Sequence, residues 1–287
     1  VFWWGRPPIG RRSTDPRQAT NDPAAGACRH KESSGKMPTI NPMPRRPQPK
    51  NELNGVLLID KPAGPTSHDI VDIVRGQYGI KKVGHCGTLD PGATGLLILL
   101  LGKATKLSQK LTADHKVYEG TMELGITTDS YDAQGAIINK TDIPPLDCDT
   151  LNTVALEFVG GIQQKPPMVS AVKKDGVPLY KLARKGKTIE REAKPIHVFS
   201  FVFSDYTHPV GKFRVHCSKG TYVRSLAHEL GEKLTCGAHL RTLHRSASGN
   251  FDVKDAVALE RLVKLPAEEL PTRIVSLLEL TSMLQST

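Results

Sequence analysis

Apolar residues along the chain recur with two different periods, and these periods predict alternating strands and helices from about residue 53 to residue 262. Continuous or alternating apolar runs predict strands at 55–60, 96–101, 116–124, 198–203, 213–217 and 238–245. Apolar residues at helical spacing predict helices over 103–113 and 151–159 and after Ser67, Gly220 and Asp255. Thr66 or Ser67 can cap the first of these helices, and Thr221 can cap the one after Gly220. Because hairpin-like pairs of strands are mixed with helices, the expected fold class is α+β, with a mixed, largely antiparallel central sheet flanked by helices.

Residues 1–52 lack this periodicity and differ in composition from the rest of the chain. They hold nine of the 21 prolines, both tryptophans and more than half of the net charge of +10. Such a segment has too few patterned apolar residues to form a core, so we expect a disordered, basic leader. Met37 and Met43 lie just before the patterned region, which leaves open the hypothesis that the leader is translated upstream sequence and not native protein. Residues 263–287 are expected to form a short C-terminal tail.

A basic chain is expected to bind a polyanion. Residues 53–287 carry a net charge of only +4, so their positive charge should be concentrated on one face. The candidates for this face are Lys81, Lys82, Lys173, Lys174, Arg184, Lys185 and Lys187. An ordinary solvated surface is the alternative interpretation of these residues.

Several classes of chemistry have no motif in this sequence. There is no phosphate-binding Walker loop, no Gly-x-Gly-x-x-Gly and no His-Glu-x-x-His, and the ten histidines show no metal-site spacing. The five cysteines form no Cys-x-x-Cys pair, which argues against a zinc ribbon or a disulfide framework and for a reducing, cytoplasmic location. No apolar run has the length of a transmembrane helix. We therefore expect no metal, no other cofactor, no membrane association, and chemistry carried out by side chains.

One loop, at residues 84–95, combines a single acid with four glycines. It reads Gly-His-Cys-Gly-Thr-Leu-Asp-Pro-Gly-Ala-Thr-Gly, and its Asp90 lies just before a predicted core strand. Pro91 favours an extended backbone at Asp90, and the glycines would let another backbone approach closely. Taken alone, the loop is more simply interpreted as an Asp-Pro turn. An acid anchored in this way is also well placed to act as a nucleophile.

Two further residues lie at junctions between predicted elements. Tyr118 belongs to the strand that begins Lys116-Val-Tyr, and Arg224 belongs to the first turn of the helix after Gly220. A cation in a first helical turn opposes the helix dipole, and a carboxylate opposite it relieves that repulsion. We therefore expect Arg224 to hold Asp90 ionised through a bidentate pair. Taken singly, a solvated arginine and a half-buried strand tyrosine are the alternatives.

Seven segments in one order resemble the TruB family of tRNA pseudouridine synthases, over roughly residues 53–262. They are Gly55-Val-Leu-Leu-Ile-Asp-Lys-Pro-Ala-Gly-Pro-Thr-Ser67, the 84–95 loop, Lys116-Val-Tyr118, Leu124-Gly-Ile-Thr-Thr-Asp-Ser-Tyr-Asp132, Pro166-Pro-Met-Val-Ser-Ala-Val-Lys173, Cys217-Ser-Lys-Gly-Thr-Tyr-Val-Arg224 and Gly237-Ala-His-Leu240. The resemblance implies a pseudouridine synthase fold and isomerisation, without a cofactor, of a uridine in the tRNA T-stem loop, usually position 55. The C–N glycosidic bond breaks, the uracil rotates, and a C–C bond forms at C5.

The resemblance also implies a role for each matching residue. Asp90 matches the nucleophile, Tyr118 the tyrosine that stacks on the uracil and is a candidate base, and Arg224 the partner of the aspartate. His85 matches the histidine that enters the T loop where the target base has left. Lys61 is expected either to contact RNA or to support the loop. Lys173, Lys174 and Arg184 are expected to bind RNA.

The implied partner is the tRNA T-arm, recognised by its folded shape and its phosphates, with a monomeric enzyme and no protein partner. Many family members continue into an RNA-binding PUA domain, which we expect to be absent or truncated here. Two related alternatives stay open: a guide-RNA-dependent, dyskerin-like synthase and a non-catalytic tRNA-folding module. An unrelated glycosidase would need a second acid at a set separation, and Asp60, Asp69 and Asp132 are not obviously that acid.

Overall fold

The computed structural model describes residues 53–170, 173–174, 176–178 and 189–285. The expected leader at residues 1–52, Arg184, Lys185 and Lys187 lie outside the described residues. The strands are β1 (Gly55–Lys61), β2 (Val83–Cys86), β3 (Thr94–Leu101), β4 (Lys116–Leu124), β5 (Ile126–Thr128), β6 (Ile137–Lys140), β7 (Gly160–Gln164), β8 (Lys173–Lys174), β9 (Val177–Pro178), β10 (Lys194–Thr207), β11 (Val210–Cys217), β12 (Ala238–Ser248), β13 (Phe251–Asp252), β14 (Val257–Ala258) and β15 (Ile274–Ser276). The helices are α1 (Ser67–Tyr78), α2 (Ser108–Thr112), α3 (Cys148–Leu156), α4 (Val223–Lys233), α5 (Leu259–Leu262) and α6 (Leu277–Gln285).

Eleven of these strands form one sheet, whose main order is β14-β1-β3-β12-β4-β11-β10-β7. Strands β2, β13 and β15 pair with β3, β12 and β1. Two pairs, β1 with β14 and β3 with β12, are parallel, and the other pairs of this sheet are antiparallel. The prediction of an α+β fold with a mixed, largely antiparallel sheet is therefore confirmed.

The position of the leucine-rich strand β3 explains why its sequence does not alternate between apolar and polar residues. Leu97, Leu99 and Leu101 face one core cluster. Leu96 and Leu100 face a second cluster on the other side of the sheet. A strand buried on both faces is a continuous apolar run, as expected from the sequence. The loop that carries Asp90 is thus anchored at its C-terminal end in the centre of the protein.

The start of α1 is fixed by side chains. The Thr66 hydroxyl accepts from the Asp69 backbone N–H at 3.1 Å, and the Asp69 carboxylate accepts from the Thr66 N–H at 2.8 Å. This reciprocal capping box satisfies two amides that the helix leaves open. The first of the two predicted caps is therefore the one used.

Two sequence-based boundaries were wrong. Thr221 does not cap α4: its hydroxyl donates to the Ser218 carbonyl, and Tyr222 occupies the cap position without a side-chain bond. The helix expected over 103–113 is a 3₁₀ turn at Gly102–Leu107 followed by the short α2. The Thr105 hydroxyl donates to the Gly102 carbonyl in this turn, a local bond of the kind that competes with regular α-helix.

The C-terminal residues correct the expected domain boundary. Residues 263–285 are not a tail beside the catalytic domain, because β15 pairs antiparallel with β1. Leu270 and Leu280 from this segment are fully buried. The fold therefore includes this segment, which adds the strand β15 to the sheet and then forms the helix α6. No helix among the described residues is long and apolar enough to cross a membrane.

Candidate active site

The loop that carries Asp90 is fixed by hydrogen bonds to Ser67 at the start of α1. The Ser67 hydroxyl donates to the Leu89 carbonyl at 3.0 Å and accepts from the Leu89 N–H at 2.9 Å. The fully buried Lys61 ammonium donates to the carbonyls of Pro62 and Pro65 at 2.9 Å and of Pro91 at 3.3 Å. Burial lowers the pKa of Lys61 to about 8. Two roles were expected for Lys61, and these contacts favour support of the loop. Its ammonium is enclosed by backbone carbonyls, and the side chain has no exposed surface that RNA could contact.

Asp90 contacts Arg224, the partner that was expected from the sequence. The Asp90 Oδ2 lies 3.0 Å from the Arg224 Nε, and the Asp132 Oδ2 lies 3.5 Å from the Arg224 Nη1. The Arg224 side chain is 4% exposed, whereas that of Asp90 is 44% exposed and open to the adjacent cavity. One buried guanidinium thus bridges two carboxylates, of which Asp90 alone is broadly accessible.

The remaining donors of Arg224 are also used. Its Nη1 donates to the Ser130 carbonyl at 3.2 Å, and its Nη2 donates to the Val169 carbonyl at 2.9 Å. A guanidinium whose fork is bonded on several sides has one orientation, which fixes the direction of its Nε toward Asp90. The pair is therefore held by the β5–β6 connection and by the segment after β7, as well as by α4.

The charge state of Asp90 results from opposing influences. Desolvation raises its pKa above the ordinary value, Arg224 beside it opposes that rise, and the negative charge of Asp132 adds to it. A raised pKa in an aspartate that faces a cavity is typical of functional carboxylates. Arg224 is thus the group that favours the ionised form in a partly desolvated site.

Tyr118 lies on the same cavity and is almost completely buried. Burial raises its pKa, which disfavours the phenolate that a base would need at neutral pH. Arg245, which pairs with Tyr118 between β12 and β4, opposes part of this rise in pKa through its charge and a hydrogen bond. Arg245 is buried and donates from Nε to the Leu96 carbonyl at 2.7 Å and from Nη2 to the Gly87 carbonyl at 3.0 Å.

A cavity of about 220 Å³ brings these groups together. Asp90, Tyr118 and Arg224 all line it. The other lining residues include Thr112, Lys116, Ser170, Ser218, Lys219, Gly220 and Tyr222. Lys116 donates to the carbonyls of Thr112 and Asp114, and its burial lowers its pKa to about 8. The arrangement combines an accessible carboxylate, a fixed cation and an aromatic ring in a concave site, which suits nucleophilic or acid–base chemistry on a bound substrate.

Family models match most of the described chain. The model described as "TruB family pseudouridylate synthase (N terminal domain)" matches residues 75–223, and "tRNA pseudouridylate synthase B C-terminal domain" matches residues 224–285. The chain belongs to the TruB family. It is therefore an isomerase of the pseudouridine synthase class, and the alternative of an unrelated hydrolase is excluded. The C-terminal match also covers the segment that the structure places in the central sheet.

Similar proteins agree with this assignment. A tRNA pseudouridine synthase B from Opitutus terrae is 50% identical over 228 residues, which are 79% of this chain and 95% of the relative. Another from Geobacter sulfurreducens is 48% identical over 213 residues, which are 74% of this chain and 70% of the relative.

Two solved structures also resemble this TruB-family fold. A chain from a Cbf5-Nop10-Gar1 complex has a TM-score of 0.60 at 31% identity over 77% of this chain. A chain from an H/ACA RNP bound to a substrate RNA containing 2′-deoxyuridine has a TM-score of 0.57 at 29% identity, again over 77% of this chain. This chain spans only 60% and 56% of the length of those two chains.

His85 of this TruB-family enzyme lies on β2, outside the residues that line the cavity. Its Nδ1 is buried and has no hydrogen-bond partner, and burial lowers its pKa. Lys81 and Lys82 are exposed just before β2. Lys173 and Lys174 form the two-residue strand β8, paired with β9, but their side chains are not described. The expectation that these residues bind RNA is untested by the geometry.

Two site residues were missed by reasoning from the sequence. Asp132 belongs to one of the quoted motifs but was considered only as an acid for a hydrolase. Arg245 had no local signal, because a strand pattern does not show what packs against it from another strand. The glycines of the loop also have a different use: a Cβ on Gly87 would lie 3.1 Å from the Arg245 Nη1, so this glycine accommodates the guanidinium. Among the described residues, no group of histidine, cysteine or acidic side chains could hold a metal ion.

Proposed function

We propose that this TruB-family enzyme isomerises a uridine in the T-stem loop of tRNA, at position 55, after the base has left its stack and entered the cavity. The observation that carries the proposal is the pair formed by Asp90 and Arg224 at the wall of a cavity that Tyr118 also lines. The names of the relatives, tRNA pseudouridine synthase B, support tRNA as the substrate. Extrusion of the base costs a few kcal/mol, roughly, and a loop nucleotide has less stacking to lose.

In the proposed reaction Asp90 acts as the nucleophile, which divides one difficult step into two. The C–N bond breaks, the uracil rotates, C5 bonds to the sugar carbon, and the bond that Asp90 formed breaks, so that its carboxylate is regenerated. The proton lost from C5 is balanced by the proton gained at N1, so no electron or group leaves and no cofactor is required. The atom that Asp90 attacks is left open in this scheme.

Each neighbouring residue has a role that its contacts support. Arg224 keeps Asp90 ionised and oriented, since it opposes the effect of desolvation on that carboxyl. Tyr118 stacks on the uracil as a neutral phenol, because its raised pKa makes it a poor base. His85 enters the space that the extruded base leaves, a role that rests on the matching loop motif. Lys61 supports the loop.

The proposal is tested by mapping pseudouridine, nucleotide by nucleotide, in unmodified total tRNA and in a bare T-arm hairpin incubated with the enzyme alone. We expect conversion at the T-loop uridine in both substrates without any added cofactor, guide RNA or protein. Conversion that required a guide RNA would instead support the guide-dependent alternative. This alternative is tested because the fold resembles chains from the Cbf5-Nop10-Gar1 and H/ACA complexes.

The role of Asp90 is tested by Asp90→Asn. We expect turnover to fall by at least about 10³-fold, because the amide is not a nucleophile, with RNA binding nearly unchanged. Asp72→Asn is the matched control, because Asp72 is half-exposed on α1 and pairs only with surface residues. Substantial turnover by Asp90→Asn would refute the mechanism. Tight RNA binding by the wild-type protein without conversion would support the non-catalytic alternative.

A further inference from the structure

The turn that connects β5 to β6 contributes the second carboxylate of the active site. The Asp132 Oδ1 accepts from the Ser130 hydroxyl at 2.6 Å and from the Gln134 N–H at 3.0 Å. Its Oδ2 is left to face the Arg224 Nη1 at 3.5 Å. The Ser130 carbonyl accepts from the same Nη1 at 3.2 Å. The turn therefore contacts Arg224 through the residue before Tyr131 and through the residue after it.

Tyr131, in the middle of this turn, has a left-handed backbone. Its φ is +64°, a value that bulky residues seldom adopt because the Cβ crowds the backbone. Strain of this kind persists only where surrounding contacts hold it in place. Two backbone hydrogen bonds do so: the Tyr131 N–H donates to the Thr128 carbonyl at 3.3 Å, and the Tyr131 carbonyl accepts from the Leu240 N–H at 2.9 Å. The Tyr131 side chain supplies a third contact.

The Tyr131 ring lies flat on the ring of His228. The ring centroids are 3.9 Å apart, and the two planes are inclined by only 8°. His228 follows Arg224 by four residues on α4, so both side chains project from one face of that helix. Helix α4 therefore holds the turn in two ways, by the Arg224 guanidinium on its polar groups and by the His228 imidazole on its aromatic ring.

This stack is not part of the hydrophobic core. Tyr131 is half-buried and belongs to neither of the two core clusters that the described residues form. The His228 Nδ1 is buried without a hydrogen-bond partner, so the imidazole is held by its ring face and not by that nitrogen. Desolvation lowers the pKa of His228, Glu232 opposes this effect, and Arg191 adds to it. At neutral pH the stack therefore consists of two uncharged rings.

We propose that Tyr131 and His228 are positioning residues, whose stacked rings hold the turn against Arg224. Asp132 then takes a fixed share of the arginine's positive charge, and Asp90 takes the rest. Without the stack, the strained turn relaxes, Asp132 withdraws, and the charge of Arg224 acts on Asp90 alone. The proposal rests on the proposed function, since it takes Asp90 as the nucleophile.

The experiment compares variants that remove a ring with variants that keep one. His228→Ala and Tyr131→Asn remove the stack, and asparagine tolerates the left-handed backbone, so the second variant adds no strain. His228→Phe and Tyr131→Phe keep two rings that can stack, and His228→Phe does so without a titrating imidazole. The measurement is kcat on a T-arm hairpin between about pH 4.5 and 8, with circular dichroism at each pH.

The expected result is a shift of the acid limb of kcat, the fall in rate as the pH decreases. His228→Ala and Tyr131→Asn should move it to lower pH, because the negative charge of Asp132 raises the pKa of Asp90 and is now further away. Their plateau rate should fall roughly three- to tenfold, the factor that corresponds to one aromatic pair. His228→Phe and Tyr131→Phe should match the wild type. Glu232→Gln, exposed one turn further along α4, is the control and should change neither quantity.

A double variant shows whether the stack acts through Asp132. His228→Ala should cause no further shift when it is added to Asp132→Asn, because the carboxylate that the stack holds in place is then already uncharged. An additional shift of the same size would show that the stack acts by another route and would contradict the proposal. Tyr131→Asn provides the same comparison if His228→Ala does not fold.

Three other outcomes are informative. If the ring-removing variants lower the melting temperature but leave the acid limb in place, or move it to higher pH, the stack does not position Asp132. If the ring-retaining variants shift the limb equally far, stacking is not the cause. If Asp132→Asn itself leaves the limb unmoved, or the wild type converts no RNA, the role proposed for Asp90 has failed instead.

Discussion

At the scale of single residues, the site depends on one guanidinium that two carboxylates share. Arg224 is buried, whereas Asp90 is open to the cavity, so the accessible acid obtains its counter-charge from a partner that water cannot easily reach. Because Asp132 bonds to the same arginine, it limits how much of that positive charge acts on Asp90. The single positive charge of Arg224 therefore faces two carboxylates and does not balance both of them.

This arrangement predicts opposite effects of two substitutions on the pH profile. Only ionised Asp90 is a nucleophile, so activity is lost as the pH falls through its pKa, which desolvation places above the ordinary value. Arg224→Gln removes the charge that lowers this pKa and should move the acid limb of kcat to higher pH. Asp132→Asn removes a charge that raises it and should move the limb to lower pH.

The measurement is kcat on a T-arm hairpin between about pH 4.5 and 8, with circular dichroism at each pH to exclude unfolding. The plateau rates can fall in both variants, since Arg224 also orients Asp90, but the directions of the two shifts are fixed by the signs of the charges. Shifts in the same direction would show that Asp90 does not govern the acid limb.

At the scale of elements, the site is assembled where two parallel strands meet over a short length. Strand β3 pairs in parallel with β12 through only two positions, Thr94 with His244 and Gly95 with Arg245. At Gly95 φ is +97°, and a Cβ there would lie 2.8 Å from the Arg245 backbone nitrogen and closer still to its carbonyl oxygen. Gly95, at the end of the Asp90 loop, and Arg245 are thus held together by direct backbone contact.

We therefore expect Gly95→Ala to destabilise the protein by about 3 kcal/mol or more, since the strained φ and the backbone overlap cannot both be relieved. Gly76→Ala is the control, because Gly76 lies inside α1 with open space around it. It should stabilise the helix by about 0.5–1 kcal/mol. Urea unfolding of the two variants measures both effects. Equal free energies of unfolding for Gly95→Ala and Gly76→Ala would contradict the close contact between β3 and β12 at Gly95.

Much of the fold follows from the sequence because the strands and helices of the sheet carry clear apolar periods. The β3 run and the cap at Thr66 are local patterns, and both were confirmed. The pairing of Asp90 with Arg224 also had a local reason, the cation in a first helical turn. Arg245 and Asp132 had none, because their importance comes from backbone carbonyls and a guanidinium contributed by distant elements.

At the scale of the whole molecule, the last described residues belong to the sheet. Strand β15 pairs Ser276, Val275 and Ile274 with the first three residues of β1, and α6 packs Leu280 into the core. No sequence pattern indicated this pairing, since a short apolar segment after the last recognised motif has the same pattern whether or not it packs against β1. A sheet edge that would otherwise be open is covered.

Leucine substitutions in α6 test whether the segment is part of the folding unit. Leu280→Ala should lower the free energy of unfolding by about 2–5 kcal/mol, because Leu280 is fully buried. Leu278→Ala, two residues away and 79% exposed, should change it by less than about 0.5 kcal/mol. Thermal unfolding followed by circular dichroism separates the two. Equal effects would mean that α6 does not contribute to the core.

The pairing of β1 with β15 has a consequence for how the protein is made. Gly55 and Ser276 are partners in the sheet, yet one is synthesised near the start of the described chain and the other near its end. While a ribosome is still extending the chain, β1 can bind β3 but its neighbour on the other side has not yet emerged. The edge of β1 at Gly55–Leu57 is therefore covered only after residues 274–276 have been made, and a nascent chain released before that point would expose an unpaired strand to other chains.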